Sequence, residues 1–141
     1  MLTRADHERW RGYAVDALDR ACIAITDVEK DQIEIADFGL GEFEQTGLIV
    51  VVYVNTARVC AKELIMLPRQ TCPEHRHPPV EASSGKEETF RCRQGKVFIY
   101  VPGEPADPIQ AVPPAGREHT YTVLREVELN PGDQYLSLIH I

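Results

Sequence analysis

Residues 71–95, TCPEHRHPPVEASSGKEETFRCRQG, contain the pattern that decides how this chain is interpreted. His75 and His77 are two residues apart, and residues two apart in a β-strand project from the same face. Glu88 follows eleven residues after His77, and we expect it on the next strand, across a hairpin from the histidines. Two imidazole nitrogens and one carboxylate oxygen suit Mn, Fe, Co, Ni or Zn and leave positions open for substrate oxygens. The stretch therefore predicts a divalent metal site.

A second metal arrangement would use cysteine. Cys72 and Cys92 flank the histidine pair, and together with it they would form a closed site of two sulfurs and two nitrogens, typical of structural zinc. The chain has no Cys-x-x-Cys pair, and Cys92 lies in a predicted strand where a buried apolar thiol also fits. A solvated histidine pair near a turn, without metal, is the third alternative. The other histidines are interpreted as surface side chains: His7, His119 and His140.

An amphipathic helix is predicted at the start of the chain, over residues 3–25. Apolar side chains recur at spacings of three and four from Trp10 to Ile25. Thr3 is the predicted N-cap, and Asp6, three residues later, completes a capping box. We expect the apolar face of this helix to cover an open face of a β-sheet.

The remainder of the chain has the patterns of strands and turns, and no second helix pattern. Residues 102–118 form a Pro-rich loop, and other turns contain Gly and Asn. One helix followed by short strands predicts a mainly β fold, an antiparallel barrel or sandwich. The predicted strands lie within residues 32–38, 48–54, 58–68 and 120–129, with two more within 87–103 that are joined near Gln94-Gly95.

Composition limits the class of protein. The 141 residues suffice for one domain, and 43% hydrophobic with 26% charged residues is typical of a globular protein. A net charge of −7 argues against nucleic acid as the main partner. The longest apolar run, residues 48–54, is too short to cross a bilayer, and residues 1–14 lack a signal-peptide core. We therefore expect a cytoplasmic protein with reduced cysteines.

The spacing around the histidines resembles the first motif of the cupin superfamily. In that motif five residues separate a Gly from His-x-His, three or four residues separate His-x-His from a Glu, and six residues separate this Glu from a second Gly. Gly95 meets the last spacing from Glu88, which favours Glu88 over Glu87 as the ligand. The gap from His77 to Glu88 is longer than in the motif, as an extended hairpin would make it, and Arg69 stands where the first Gly is expected.

Three segments are similar to one cupin family, the D-lyxose ketol-isomerases. They are KELIMLPRQTCPEHRHPP (62–79), GKEETFRCRQGKVFIYVPGE (85–104) and LNPGDQY (129–135). The resemblance, from about residue 2 to Tyr135, implies a cupin-type antiparallel β-barrel in a homodimer. It also implies a metal-dependent enzyme, usually with Mn²⁺, that converts D-lyxose to D-xylulose and often D-mannose to D-fructose. Zn, Co, Fe and Ni remain alternatives for the metal.

Such a reaction needs a group that moves a proton between C1 and C2 of the open-chain sugar while a metal stabilises the enediolate. Lys86, two residues before Glu88, is the first candidate, because burial beside a cation lowers the pKa of a lysine. Its alternative is a solvated lysine at the hairpin tip. Lys62 is the second candidate, or a ligand of a sugar hydroxyl. Competing functions are a non-catalytic cupin that binds metal or sugar, and an Fe(II) cupin oxygenase.

The end of the chain, PGDQYLSLIHI (131–141), departs from the family pattern. The second cupin motif, counted from Gly132, requires Pro at position 138, where Leu stands, and a His beyond the last residue. LSLIHI is also the peptide that the transposase mosaic-end sequence of DNA-library adapters encodes. We therefore expect a single truncated cupin domain, residues 1–135, followed by a non-native tail, residues 136–141. A divergent short strand that brings His140 near the metal is the alternative.

The truncation predicts that the fourth metal ligand is absent and that the barrel is incomplete at its C-terminus. An open barrel exposes strand edges and apolar interior. We therefore expect the polypeptide as written to be poorly soluble and inactive, and the activity to belong to the intact parent protein.

Overall fold

The computed structural model of the chain describes residues 2–79 and 87–137. It divides into two compact units, Met1–Cys72 and Pro73–Ile141. The first unit holds both α-helices and one sheet, and the second holds two smaller sheets. Neither α-helix in the described part of the chain is long and apolar enough to cross a bilayer.

The first unit is a three-stranded antiparallel sheet with two helices. Its strand order is β1-β2-β3, and Ile49 in the central strand pairs with Ile35 on one side and Ile65 on the other. The elements are α1 (Arg4–Arg20), α2 (Asp27–Asp31), β1 (Glu34–Ala36), β2 (Leu48–Asn55) and β3 (Cys60–Ile65).

Helix α1 begins where the sequence predicts. The Thr3 hydroxyl accepts a hydrogen bond from the Asp6 amide at 3.2 Å, and the Asp6 carboxylate accepts one from the Thr3 amide at 2.8 Å. This reciprocal pair satisfies two amides that have no partner inside the helix, so the predicted capping box is confirmed. The buried residues of the helix, Trp10, Ala14 and Leu18, are spaced four apart and lie on one face.

The helix is shorter than predicted, ending at Arg20 rather than near residue 25. Cys22 adopts the left-handed conformation with φ +55°, and the Ile23 amide donates to the Leu18 carbonyl at 2.9 Å. These are the features of a Schellman motif, which satisfies the last carbonyls of the helix and turns the chain away. Gly is the usual residue at this position. Because Cys22 stands there instead, the sequence gives no signal that the helix ends.

The expectation of a single helix is wrong, because α2 follows α1 after six intervening residues. The Thr26 hydroxyl accepts from the Glu29 amide at 3.2 Å, and the Glu29 carboxylate accepts from the Thr26 amide at 2.7 Å. A helix of five residues is too short to show a periodic apolar face. The capping box was the only signal that the sequence carried.

The apolar face of α1 packs against the sheet, as predicted. Trp10 lies 5.2 Å from Phe43 between ring centroids, and Ile49 and Val51 of β2 are almost fully buried. Each large apolar side chain buried in this way contributes about 1.5–3 kcal/mol. The core of the first unit consists of Trp10, Ala14, Leu18, Ile33, Phe43, Ile49, Val51 and Ile65.

The second unit contains two antiparallel strand pairs. Strand β4 pairs with β7, with Glu88 opposite Ser137, and β5 pairs with β6, with Val97 opposite Leu129. The two strands predicted on either side of Gln94-Gly95 are β4 and β5, which therefore have different partners. The elements are β4 (Glu88–Arg91), β5 (Val97–Val101), a short 3₁₀-helix (Glu118–Thr120), β6 (Arg125–Leu129) and β7 (Gln134–Ser137).

The predicted fold class is confirmed as a mainly β chain with antiparallel sheets and an N-terminal helix. Over residues 2–79 and 87–137 the strands form three separate sheets and no closed barrel, which is compatible with an incomplete cupin-type fold. Leu136 and Ser137 belong to β7, whereas residues 138–141 of the expected tail lie outside the described residues. The single domain over residues 1–135 and the origin of the tail stay predictions.

Candidate metal centre

The three predicted metal ligands all lie in the second unit. Glu88 is the first residue of β4, where its side chain is partly buried while that of Glu87 is exposed. His75 and His77 precede β4 and belong to no strand, so the strand predicted for them is wrong. The hairpin expected before Glu88 falls mainly on residues 80–86, outside the described residues.

The structure brings the three side chains together. The His75 and His77 rings meet edge to face, with centroids 4.9 Å apart. His77 Nε2 lies 3.2 Å from Glu88 Oε2, and His75 Nε2 lies 4.0 Å from the same oxygen. One ligand atom from each residue falls within 4.8 Å of the others. Ligand atoms about 2.0–2.2 Å from one metal lie about 3–3.5 Å from each other. The three ligand atoms would therefore move closer together when they bind one ion.

The orientation of His75 prepares it as a ligand. Its Nδ1 atom lies 2.9 Å from the carbonyl oxygen of Pro73. Because a carbonyl can only accept a hydrogen bond, the neutral ring carries its proton on Nδ1. The lone pair is then on Nε2, the atom that faces Glu88. Metal-binding histidines commonly donate their second N–H to a carbonyl or carboxylate in this manner.

His77 supplies a second observation that favours a metal. Its Nε2 atom is buried and makes no hydrogen bond in the part of the chain that the structure describes, although the Glu88 oxygen is near. An unsatisfied buried nitrogen costs about 1–3 kcal/mol. Coordination of a cation would satisfy this atom and place a positive charge beside the Glu88 carboxylate. The residues present therefore fit a divalent metal ion.

The alternative closed zinc site is not formed. Among the described residues, His75, His77 and Glu88 form the group of side chains close enough to share a metal ion. Cys72 and Cys92 are not part of this group. Cys92 is 4% exposed and packs in the second core with Ile99, Val101 and Leu129. Burial raises the pKa of the Cys92 thiol, which disfavours the thiolate that zinc requires.

The structure does not place the remaining candidate residues in the triad. Lys86 and His140 are outside the described residues. Lys62 is exposed in β3 of the first unit, paired with Val52. His119 is exposed in the 3₁₀-helix, and His7 lies in α1. The catalytic roles assigned to Lys86 and Lys62 therefore stay predictions.

Two residues near the histidines in sequence, Arg69 and Glu74, have features that the sequence did not predict. Arg69, at the position where the cupin motif has Gly, has φ +64°. This is the left-handed region that Gly adopts at no steric cost. Glu74, next to His75, accepts hydrogen bonds from Thr122 and Val123. Its position beside the histidines was the only available signal.

Comparisons with known proteins agree with the resemblance in the sequence. No protein-family model matches the chain. The D-lyxose/D-mannose isomerase of Thermosediminibacter oceani is 56% identical over 135 residues, which is 96% of this chain and 75% of the relative. The D-lyxose ketol-isomerase of a Thermofilum species is 53% identical with the same coverage of both chains. That of Cohnella laeviribosi is 54% identical over 125 residues, 89% of this chain and 69% of the relative. Identity of this extent over most of both chains shows that the chain belongs to the D-lyxose ketol-isomerase family, a family of isomerases.

Proposed function

We propose that the chain belongs to a metal-dependent aldose–ketose isomerase that interconverts D-lyxose and D-xylulose, and D-mannose and D-fructose. The observation that carries the proposal is the convergence of His75, His77 and Glu88, with one ligand atom of each within 4.8 Å of the others. The names of the relatives supply the substrate class, since they are isomerases of D-lyxose and, in one case, D-mannose.

The reaction moves a proton between C1 and C2 of the open-chain sugar through an enediolate. A carbon next to a carbonyl is a weak acid, so the site must stabilise the charge that develops on the sugar oxygens. A divalent cation held by the triad supplies that stabilisation when bound. The carbonyl of Pro73 holds the His75 proton on Nδ1, which keeps Nε2 available as a ligand. The half-buried carboxylate of Glu88 contributes the negative charge of the site.

The proton transfer itself is assigned to lysine. We propose Lys86 as the group that removes and returns the proton, because it is two residues from Glu88 in the chain. Lys62 is the second candidate, either for the same role or as a ligand of a sugar hydroxyl. Mn²⁺ as the metal, a homodimer as the assembly and the cytoplasm as the location rest on the family resemblance.

Metal binding tests the triad directly. We expect the product of the uninterrupted gene to bind one Mn²⁺, observed as loss of the free-ion electron paramagnetic resonance signal during a titration. Removal of a partner that only orients a metal ligand costs about 10–100-fold in affinity, so loss of a ligand should cost more than about 100-fold. His77→Ala should therefore abolish measurable binding. His119→Ala, which removes an exposed histidine outside the triad, is the matched control and should bind like the wild type.

Turnover tests the reaction class. The product of the uninterrupted gene, supplied with Mn²⁺, should form D-xylulose from D-lyxose without oxygen. Turnover that depends on oxygen would favour an Fe(II) oxygenase, and sugar binding without turnover would favour a non-catalytic cupin. Full activity after chelation of all metal would overturn the proposal. The inactivity predicted for the 141-residue polypeptide stays a prediction, which the same assay tests.

A further inference from the structure

The Glu74 carboxylate is held by three hydrogen bonds from one short segment. Glu74 Oε1 accepts from the Thr122 hydroxyl at 2.6 Å. Glu74 Oε2 accepts from the Thr122 amide and, at 3.2 Å, from the Val123 amide. Both oxygens of the carboxylate are thus engaged by residues 48 and 49 positions later in the chain. Hydrogen bonds to an ionised acceptor are about twice as strong as those between neutral groups.

The segment that carries the histidines lies outside the assigned strands, and Arg76, between the two histidines, forms an isolated β-bridge. No strand is assigned to it between Pro73 and Pro79, where both metal-binding histidines lie. The segment that holds Glu74 is better anchored, because Val123 is only 8% exposed and β6 begins two residues later at Arg125. The carboxylate therefore connects the backbone beside His75 to a segment that continues into a paired strand.

We propose that Glu74 is a positioning residue for the metal centre, acting through its hydrogen bonds to residues 122 and 123. The inference rests on the proposed function, since it assumes that His75 and His77 bind a metal. Glu74 holds the backbone on one side of His75, and the Pro73 carbonyl holds the imidazole ring. Glu74 itself is not a ligand, because both of its oxygens already accept hydrogen bonds and Glu88 supplies the carboxylate of the triad.

Substitutions at both ends of the contact separate this role from general stability. Glu74→Gln keeps the size of the side chain but replaces one acceptor oxygen with an NH₂ group that would face an N–H or O–H donor. Thr122→Val removes only the hydroxyl donor and keeps the shape and both amide donors. Thr122→Ser restores the hydroxyl. Glu128→Gln is the matched control, because Glu128 also accepts hydrogen bonds through its carboxylate, from Lys96 and Asn130, outside the triad.

The experiment is a Mn²⁺ titration of the product of the uninterrupted gene, followed by electron paramagnetic resonance, with circular dichroism to check folding. Glu74→Gln should weaken Mn²⁺ binding about 10–100-fold and broaden the spectrum of the bound ion, as expected for a ligand set that is less well ordered. Thr122→Val should give a smaller loss, and Thr122→Ser and Glu128→Gln should match the wild type. The double variant Glu74→Gln/Thr122→Val should bind no more weakly than Glu74→Gln alone.

The outcomes distinguish the two proposals. If the wild type binds no Mn²⁺ at the triad, the proposed metal site fails. If the wild type binds and Glu74→Gln binds equally well, the positioning role is wrong and the metal site stands. If Glu74→Gln does not fold, the Thr122 pair decides, because equal affinities for the Val and Ser variants would also overturn the positioning role.

Discussion

Tyr100 provides the sharpest test of how the second unit is held together. Its hydroxyl donates to Glu126 Oε2 at 2.5 Å and accepts from the Ala111 amide at 2.9 Å. The Gln110 amide donates to the same Glu126 oxygen at 2.7 Å. Tyr100 and Glu126 are cross-strand neighbours in β5 and β6, so this group ties the Pro-rich loop to the strand pair. We predict that Tyr100→Phe destabilises the protein measurably.

The two hydrogen bonds of the Tyr100 hydroxyl set the expected magnitude. A hydrogen bond to a charged group contributes about 1.5–3 kcal/mol and one between neutral groups about 0.5–1.5, so their loss should cost about 2–4 kcal/mol. Burial, and then the hydrogen bond to Glu126, raises the pKa of Tyr100 from 10.0 to about 12.

The sign of the pH dependence follows from the raised pKa. The unfolded tyrosine ionises near pH 10 and the folded one near pH 12, so the contribution of Tyr100 is complete below pH 10 and is lost as the pH rises to 12. At pH 11 about 1.4 kcal/mol of it should be lost. The stability difference between wild type and Tyr100→Phe should therefore be about 2–4 kcal/mol at pH 8 and smaller by about 1.4 kcal/mol at pH 11.

Urea unfolding at pH 8 and pH 11, followed by circular dichroism, measures this difference. Tyr135→Phe is the control, because it removes a tyrosine hydroxyl outside this hydrogen-bonded group and should leave the stability at pH 8 close to wild type. The reasoning is refuted if Tyr100→Phe is as stable as wild type at pH 8. A difference that is the same at both pH values would refute the assigned pKa shift while leaving the hydrogen bonds intact.

Two further substitutions test the backbone of the first unit, and Trp10 fluorescence during urea unfolding measures both. Arg69→Gly should stabilise the protein by about 0.5–1 kcal/mol, because φ +64° costs a non-Gly residue about 1–2 kcal/mol and Gly has a partly offsetting entropy cost. Arg69→Ala should give no such gain, and a gain of equal size would contradict the backbone explanation. Gly47→Ala should destabilise by about 1–3 kcal/mol, because its Cβ would lie 2.6 Å from Phe43 Cδ2 and 2.9 Å from Gln70 Nε2. Unchanged stability would show that this core can open without cost.

The helices show which local signals the sequence carries. The Thr3 capping box and the apolar face of α1 were predicted because both depend on residues within one or two turns. The stop at Arg20 was missed because the left-handed position after it is occupied by Cys22, which gives no warning in the sequence. Helix α2 was missed because five residues cannot display a 3.6-residue period. Both errors have a local cause: the end of α1 lacks the usual Gly, and α2 lacks the usual helix length.

The strands show the opposite limit. Alternation and turn residues were enough to predict that strands lie on both sides of Gly95, which has φ +75°. Their pairing was not predictable in the same way, because β4 pairs with β7 and β5 with β6. The partner of a strand depends on contacts distant in sequence, which neither propensity nor local pattern encodes. Family resemblance predicted an antiparallel β fold without predicting these registers.

The grouping of His75, His77 and Glu88 was predicted although its local structure was not. His75 and His77 were expected to face the same side because of a strand, yet they lie in a segment that belongs to no assigned strand and has an isolated β-bridge at Arg76. Proline offers a physical reason why the spacing still holds. Pro78 follows His77, and a residue before proline favours extended backbone, in which side chains two apart remain on one side. In the positioning role proposed for Glu74, its hydrogen bonds with Thr122 and Val123 help to hold this segment, which belongs to no assigned strand. The loss of Mn²⁺ affinity in Thr122→Val therefore measures how much this side-chain contact contributes to the position of the histidines.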